Sequence, residues 1–529
     1  MNSAETEASR PTSDNMARQG GVVASMTLLS RISGLARDVV LSYLFGASQV
    51  ADMFFVALRI PNFFRRLFAE GAFSQAFVPV LIQHKAAGRA QLLSFIGSLS
   101  GLFASALALF VALGVLFAPA LTALFAPGFL DQPDVYRQTS ELVRITFPYL
   151  GLISLTAYAA ALLNAHGRFA LPAATPVLLN ISLMLAAAVA IFGWVDAQPV
   201  VIVAWGVMAA GIAQLLVQLP TLGRLGLLPR PNLDTKQEGV RQVGKLLLPA
   251  VFAASVAQIN ALVNTILAST LVSGSIAWLY YADRLLELPV GLVAVALGTV
   301  ILPHLSSMVA RNDRPRFNAT LDWGLHLGLM LALPAAVGLW LLAEPLVAVM
   351  FTSFGGAMTE HDVRMAAAAL EMFAVALPGF VLVKVLQPAF FAHQDTRTPF
   401  RYAVVAVAVN LMGSLATFTW MGHVGLALAT ALSAWSQALL LFYGLVSKGH
   451  YQMGRQLLVW GLRAVLCSGL LAVGLWYFSP TDMQWLKMLP SYRAGWLGLM
   501  VTAAVLGYGL VLFLFGLRPK HLRNQGATL

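Results

Sequence analysis

Residues 90–130 read AQLLSFIGSLSGLFASALALFVALGVLFAPALTALFAPGFL, forty-one positions without one charged side chain. A helix needs about 20 apolar residues to cross the hydrocarbon core of a bilayer, so this run holds one or two spans. Further charge-free gaps lie between Arg168 and Asp196 and between Arg401 and Lys448. Only 10% of the 529 residues are charged, against about 25% in a soluble domain. The chain is therefore predicted to be an all-α polytopic membrane protein.

Apolar runs bounded by turn and charge signals predict about fourteen transmembrane helices. The predicted helices lie near 22–45, 51–83, 92–118, 140–165, 172–193, 199–222, 242–271, 277–309, 319–343, 363–392, 400–420, 424–447, 457–478 and 494–517. Residues 1–20 form a predicted tail without a cleavable signal peptide, and 518–529 form a second tail. The loops carry twenty lysines and arginines on one predicted side and four on the other. The positive-inside rule therefore places both termini in the cytoplasm and the chain in a plasma membrane.

Two segments of similar composition suggest an internal repeat. Pro148 to Asn180 covers a helix, a basic turn and a second helix, and Pro378 to Asn410 covers the same elements at the same separation. We therefore predict two related six-helix lobes, followed by two additional helices. Both lobes start on the same side, so the repeat is expected to be parallel. The predicted lobes and the additional helices cover residues 21–223, 240–448 and 456–517.

Nine basic side chains fall inside these predicted spans or at their edges. A central arginine costs about 2.5–3.5 kcal/mol even on a lenient insertion scale. These side chains must therefore line a polar cavity, pair with acids, or extend to a membrane interface. The nine residues are Arg31, Arg37, Arg59, Arg65, Arg66, Arg144, Arg284, Lys384 and Arg463.

Some of these charges have a simple local explanation. Arg66 lies four residues before Glu70, and Arg284 lies three residues before Glu287, so each arginine can form a pair within its own helix. Arg144 and Arg463 lie near span ends and are expected to reach the interface. Lys384 has no acid at helical spacing, which leaves cavity lining and an interhelical pair equally open.

Three arginines on the first two predicted helices have no easy local partner: Arg31, Arg37 and Arg65. Arg37 adjoins Asp38, but neighbouring residues on a helix point in different directions. These arginines are interpreted as lining a water-filled cavity, where the planar guanidinium suits phosphate oxygens, or as interhelical pairs. The acids available for such pairs are Asp38, Asp52 and Asp283.

Enzyme chemistry is not indicated. The chain lacks a Walker A loop, an HExxH motif and an Asp-rich diphosphate-metal motif, and its histidines are scattered, so neither a metal site nor a cofactor is expected. A net charge of +11 would suggest nucleic-acid binding in a soluble protein. Here most of the excess positive charge lies in the loops and tails of one predicted side of the membrane, so no nucleic acid is expected as a partner.

Three motifs resemble the bacterial lipid II flippase family, MurJ or MviN, of the multidrug/oligosaccharidyl-lipid/polysaccharide exporter superfamily. The motifs are SMTLLSRISGLARD at 25–38, DMFFVALRIPNFFRRLFAEGAFSQAFVPVL at 52–81 and YYADRLLELPVGLVAVALGTVILPHLS at 280–306. The segments at 145–155, 162–182 and 394–399 extend the resemblance through about the first 450 residues. The last two helices match the family in hydropathy alone.

The resemblance implies two six-helix lobes around a central cavity, with the last two helices forming a groove toward the bilayer. It also implies transport of lipid II, the undecaprenyl-diphosphate-linked disaccharide peptide, from the cytoplasmic to the periplasmic leaflet of the inner membrane. The family's required cavity arginines fall on Arg37, Arg65 and Arg284. Arg31 is predicted to be a further substrate-binding residue. Five acids are predicted to gate the site or to provide structural charge: Asp38, Asp52, Glu70, Asp283 and Glu287.

Some relatives bind sodium through carboxylates, but the corresponding positions in this chain carry none. They are Asn260, Asn264, Asn410 and Thr430. Two other functions remain as alternatives. A cation-coupled drug exporter, or an exporter of another polyprenyl-diphosphate oligosaccharide, would share the superfamily fold; the drug exporter would favour an acidic, aromatic-lined cavity. A scaffold for cell-wall synthesis enzymes, which would contact them transiently, would depend on loops, and these are short.

Overall fold

The structure is a computed structural model that describes residues 13–67, 72–480, 485 and 488–516. Within these ranges the regular secondary structure is helical. The α-helices are α1 (Ser13–Phe45), α2 (Gln49–Arg65), α3 (Ala72–Ala87), α4 (Arg89–Leu116), α5 (Ala118–Phe125), α6 (Pro133–Thr146), α7 (Tyr149–Ala165), α8 (Ala170–Ile191), α9 (Pro199–Arg224), α10 (Glu238–Ser269), α11 (Ser275–Ala310), α12 (Arg314–Leu341), α13 (Ala343–Thr352), α14 (Glu360–Ala392), α15 (Arg397–Met421), α16 (His423–Ser447), α17 (Arg455–Phe478) and α18 (Pro490–Leu514).

Ten helical stretches in the described part of the chain are long and apolar enough to cross a membrane. One of them, Pro133–Ala165, combines α6 and α7. An all-α polytopic membrane protein is therefore confirmed, while the count of fourteen spans and the two-lobe layout stay predictions. Two short helices, α5 and α13, had not been predicted, because eight and ten residues are too few to span a bilayer.

The predicted fourth helix, near 140–165, corresponds to α6 and α7, which together form one membrane-length stretch from Pro133 to Ala165. Regular helix begins at Pro133 rather than near residue 140, and α6 ends at Thr146 before α7 begins at Tyr149. Pro148 lies between the two helices, and a proline lacks the N–H that would continue the hydrogen-bond ladder. The predicted second helix corresponds to α2 and α3, which lie on either side of residues 68–71.

The chain divides into two compact units. The first contains the chain up to Leu44 together with Val56–Leu124 and Pro133–Gln258; the second contains Phe45–Phe55, Phe125–Gln132 and the chain from Ile259 onward. In the first unit a buried aromatic cluster joins α3, α4 and α7, with the Phe73 and Phe77 rings 5.1 Å apart and the Tyr158 hydroxyl donating to the Ile96 carbonyl at 2.9 Å. In the second unit α14 packs against α11, α12 and α16, and α12 also packs against α17.

Candidate functional site

A buried ionic cluster in the first unit joins α1 to α8. The Arg37 guanidinium donates from Nε (2.9 Å) and Nη2 (2.6 Å) to Oδ1 of Asp38, and from Nη1 to Oδ1 of Asn180 at 3.1 Å. Arg37, Asp38 and Asn180 are 6%, 0% and 5% exposed. Asn180 in turn donates to the Ser30 carbonyl and the Ser33 hydroxyl, at 3.1 and 2.8 Å, which fixes the orientation of its amide. The guanidinium is therefore held at a defined angle by a carboxylate and a neutral amide.

The pair between Arg37 and Asp38 corrects the sequence argument that helix neighbours do not meet. The Cβ atoms of neighbouring helix residues do point in different directions, but an arginine stem is long enough to curve around the helix and bring the guanidinium to the adjacent carboxylate. Because both charges are buried, each compensates the other, and an isolated buried charge would be far more costly.

Arg65 lies at the end of α2, where the chain forms a π-helical turn at residues 66–67. Its Nε donates to Oδ1 of Asn62 at 3.1 Å, and Asn62 donates from its amide nitrogen to the Leu58 carbonyl at 2.9 Å. Arg65 is half-buried, so part of its surface remains accessible. Such single-turn π segments often occur at functional sites.

Arg66, the next residue, is exposed and contacts Oε1 of Gln258 through Nη1 at 3.4 Å. The predicted pair between Arg66 and Glu70 cannot be placed, because Glu70 lies outside the described residues.

Arg284 in the second unit is held by residues one turn before and one turn after it on α11. Its Nη1 lies 2.7 Å from Oε2 of Glu287, and its Nη2 donates to the Tyr280 hydroxyl at 3.3 Å. The Tyr280 ring, whose centroid is 5.0 Å from the Arg284 guanidinium carbon, stacks on Phe55 with a centroid distance of 3.9 Å. The local pair with Glu287 is thus confirmed. The Arg284 side chain is still 34% exposed, which leaves room for a ligand.

Asp52 has a structural role in the second unit. It is 3% exposed, and its two carboxylate oxygens accept the backbone N–H groups of Gly274 and Ala277 at 2.6 and 2.8 Å. These N–H groups lie at the start of α11, where the helix dipole favours a negative charge. Asp52 therefore caps a helix that is distant in sequence, and it connects the first turn of α2 to the start of α11.

The remaining predicted residues lie in more open surroundings. Arg31 is exposed on α1, and Asp283 is half-buried on α11 beside Arg284. Arg144 and Lys384 are exposed, and the Arg463 guanidinium stacks over Trp460 with its carbon 4.6 Å from the ring centroid.

Polar neighbours that orient the arginines were missed by the sequence argument, which searched for acids. Asn180, Asn62 and Tyr280 each hold a guanidinium through an oxygen atom. A signal was present for Asn180, because a buried amide in an apolar helix such as α8 needs a partner.

These arrangements favour the recognition of an anion rather than covalent chemistry. Each of Arg37, Arg65 and Arg284 has a planar fork of N–H donors that neighbouring side chains hold in one orientation. Arg65 and Arg284 remain partly exposed, and a planar fork can bind two phosphate oxygens at once. An anion at Arg37 would have to replace Asp38 or Asn180, which already accept from its fork.

Comparisons with known proteins agree with the sequence resemblance. The sequence model of the family described as "Lipid II flippase MurJ" matches residues 41–492. A probable lipid II flippase MurJ of Haemophilus influenzae is 40% identical over 514 residues, which cover 94% of this chain and 100% of that protein. The lipid II flippase MurJ of Burkholderia cenocepacia is 38% identical over 519 residues, covering 97% of this chain and 99% of that protein.

Two solved structures are similar in fold. A lipid II flippase MurJ in an inward closed conformation has a TM-score of 0.78 and 26% identity, covering 93% of this chain and 98% of that chain. An inward-facing multidrug resistance MATE family transporter of the MOP superfamily has a TM-score of 0.63 and 13% identity, covering 81% and 98% of the two chains. The second likeness is one of fold alone.

Proposed function

We propose, since the chain belongs to the lipid II flippase MurJ family, that it moves undecaprenyl-diphosphate-linked peptidoglycan precursor from the cytoplasmic to the periplasmic leaflet of the inner membrane. Its relatives are transporters rather than catalysts, and the described part of the chain is a multi-pass helical protein.

The proposal rests on one observation: acidic and neutral side chains together hold three arginines in defined orientations. Arg37 is held by Asp38 and Asn180, Arg65 by Asn62, and Arg284 by Glu287 and Tyr280. In our proposal these three guanidinium groups bind the diphosphate, and the oxygen ligands around them set the angle of each fork. Arg31 supports the site as a further positive charge.

Asp38 has a second role in this proposal. With no substrate bound, its carboxylate neutralises Arg37, which reduces the cost of a buried positive charge. The diphosphate would take over part of that neutralisation, so substrate binding and the Arg37–Asp38 pair are coupled. Asp52, Asp283 and Glu287 contribute structural charge on the second unit, and Glu70 is proposed to do the same on the first.

The proposed transport cycle is alternating access. The diphosphate and sugar bind in a cavity that opens first to the cytoplasm and then to the periplasm, while the lipid tail stays in the bilayer. Both chain termini are proposed to remain in the cytoplasm, in agreement with the distribution of loop charges.

The decisive experiment replaces Arg37, Arg65 and Arg284 by lysine, singly and together, in cells whose own flippase can be depleted. Lipid II on the periplasmic face is then measured with a membrane-impermeant probe. Lysine keeps the charge and removes the planar fork, so we expect flipping to fall by about tenfold or more in the triple variant. The matched control is Arg137→Lys, which changes an exposed arginine paired with Asp134.

Full growth and flipping in the triple lysine variant would refute binding of the diphosphate by guanidinium forks. Lipid II that is distributed normally after depletion of the protein itself would refute the flippase function as a whole. A phenotype caused only by loop substitutions would favour the scaffold alternative.

A further inference from the structure

An arginine lies on the buried face of α18, the last described helix. The residues of α18 that face the protein follow the helical spacing Arg493, Leu497, Met500 and the partly buried Ala504. The first position of this stripe would ordinarily carry an apolar side chain. Arg493 is instead only 5% exposed, in the first turn of the helix.

The buried guanidinium has an unsatisfied donor. Nε of Arg493 makes no hydrogen bond, and none of the ion pairs found between described residues includes Arg493. A buried donor that stays unsatisfied costs about 1–3 kcal/mol, and more when it is charged. The Arg493 guanidinium can therefore still receive an acceptor.

A second buried donor belongs to the same region. Trp485 is fully buried in the hydrophobic cluster that contains Leu497 and Met500, and its indole Nε1 makes no hydrogen bond. An indole N–H can donate but cannot accept. The first turn of α18 adds backbone N–H groups, because the N-cap residue Leu489 has no side-chain atom that could accept hydrogen bonds from them. Arg493 Nε and Trp485 Nε1 are therefore two buried donors without an acceptor among the described residues, next to a helix N-terminus.

Aromatic side chains place this region at the depth of lipid head groups. At the end of α17 the rings of Trp476 and Tyr477 are 74% and 75% exposed, and at the start of α18 Tyr492 and Trp496 are 76% and 42% exposed. Exposed Trp and Tyr residues at the ends of spans typically form a belt at the membrane–water interface. On the predicted topology this is the periplasmic interface.

From these observations we propose that Arg493, Trp485 and the N-terminus of α18 bind the phosphate group of a membrane lipid. The phosphate oxygens can accept hydrogen bonds from all of these donors. The negative charge of the phosphate is also favoured by the guanidinium and by the helix dipole. At head-group depth, lipids are the most concentrated source of that group. The proposal does not depend on the transport function, because none of its residues belongs to the proposed diphosphate site.

The competing explanation for Arg493 is a carboxylate of the protein. Glu344 lies in the first turn of α13, which packs against α18, and it is a candidate for that carboxylate among the described residues. If Glu344 were the required counter-charge, Glu344→Gln would weaken the protein as much as Arg493→Gln, and added lipid would have no effect on either variant.

The test measures lipid binding to the full detergent-solubilised chain by native mass spectrometry. The probes are phosphatidylglycerol, undecaprenyl phosphate and inorganic phosphate. We expect Arg493→Gln to weaken binding of the preferred lipid about tenfold, since a charged hydrogen bond is lost. Trp485→Phe keeps a buried ring while removing the N–H, and it should weaken binding about threefold. The exposed Arg137→Gln is the matched control and should bind lipid as the wild type does.

Weaker binding of phosphatidylglycerol or of undecaprenyl phosphate to Arg493→Gln and Trp485→Phe, with Arg137→Gln unchanged, would support the site, and the lipid affected would identify its source of phosphate. Equal lipid binding by wild type and by both altered chains would overturn the proposal. So would displacement of lipid by inorganic phosphate at equal concentration, because the site would then be one for soluble anions. Should Arg493→Gln fail to fold, Trp485→Phe and Arg493→Lys still decide the question.

Discussion

The Thr146 hydroxyl donates a 2.8 Å hydrogen bond to the Ala57 carbonyl, an interaction that joins α6 to α2 in the first unit. Pro61, four residues after Ala57, has no N–H, so this carbonyl has lost its helical partner. Thr146 is fully buried and supplies the missing donor. The hydrogen bond that Pro61 removes, one turn before Arg65, is therefore replaced by one from another helix, which helps to hold the end of α2 in place.

Replacing Thr146 by valine should leave the Ala57 carbonyl without a donor at nearly unchanged side-chain volume. We expect the free energy of unfolding to fall by about 1–2 kcal/mol. A value near 1 kcal/mol is expected because single hydrogen bonds contribute modestly to the stability of membrane proteins. Thermal unfolding in detergent measures this. Thr502→Val is the control, since Thr502 is exposed and bonds only to its own helix. An equal effect of the two substitutions would contradict the assigned role of Thr146.

Removal of one charge from the Arg37–Asp38 pair should be worse for stability than removal of both. Asp38→Asn leaves a buried guanidinium without its counter-charge and should cost about 3–5 kcal/mol. Arg37→Met combined with Asp38→Leu removes both charges and should recover most of that stability, as measured by thermal unfolding. Flipping should stay lost in the double variant, because the diphosphate has lost a ligand. Recovery of both stability and flipping would show that the pair is purely structural.

Gly274 should not tolerate alanine. Its φ of +96° lies in the left-handed region, and an added Cβ would lie 2.5 Å from the Ala47 carbonyl oxygen. We expect Gly274→Ala to destabilise the chain by about 2–4 kcal/mol and to disturb the cap that Asp52 forms on α11. Gly355 is the control: its φ is +78°, but an added Cβ meets no atom within 4 Å, so alanine there should cost about 1 kcal/mol. Similar unfolding temperatures for the two variants would show that the steric contact has no effect.

Glu287 is expected to orient Arg284 rather than to stabilise the fold. The pair is partly exposed, at 34% and 44% of the two side chains, so Glu287→Gln should change stability by less than about 1 kcal/mol. Flipping should fall, because the guanidinium then loses its charged partner while the Tyr280 hydroxyl remains, and it should fall further in Arg284→Lys. A large change in unfolding temperature for Glu287→Gln would instead make the pair a structural one.

Asp395, in the loop between α14 and α15, should make stability depend on pH. Partial burial alone would raise its pKa, but hydrogen bonds from Lys448 at 2.6 Å and from Thr398 outweigh burial and lower the pKa of Asp395 below its ordinary range. The folded state then favours the ionised form, so its stabilisation is complete above about pH 4 and is lost as the pH falls further.

Asp395→Asn should abolish this contribution, so that unfolding temperatures of variant and wild type converge at acid pH and differ near neutrality. Asp134→Asn, at a carboxylate that is 88% exposed, should leave the unfolding temperature unchanged throughout. Parallel profiles for Asp395→Asn and wild type would contradict the lowered pKa.

Much of the candidate site was predictable because membrane insertion makes a buried charge costly. Arg31, Arg37 and Arg65 stand out in apolar helices without an easy local acid, whereas Arg284 was added to the site by the family resemblance. The pair of Arg284 with Glu287 follows from helical spacing, and the structure confirms it. The capping role of Asp52 was not predictable, since Gly274 and Ala277 are more than two hundred residues away in sequence.

The sequence by itself determined the all-helical membrane architecture and the residues that carry unusual charge, because hydrophobicity, charge and helical spacing are local properties of the chain. The tertiary structure alone decided the partners: Asn180 for Arg37, Thr146 for the carbonyl that Pro61 leaves free, and the buried position of Arg493 on α18. Hydrogen bonds act over about 3 Å, so their partners depend on how distant helices pack and rotate against one another. That packing is set by the contacts of the whole chain.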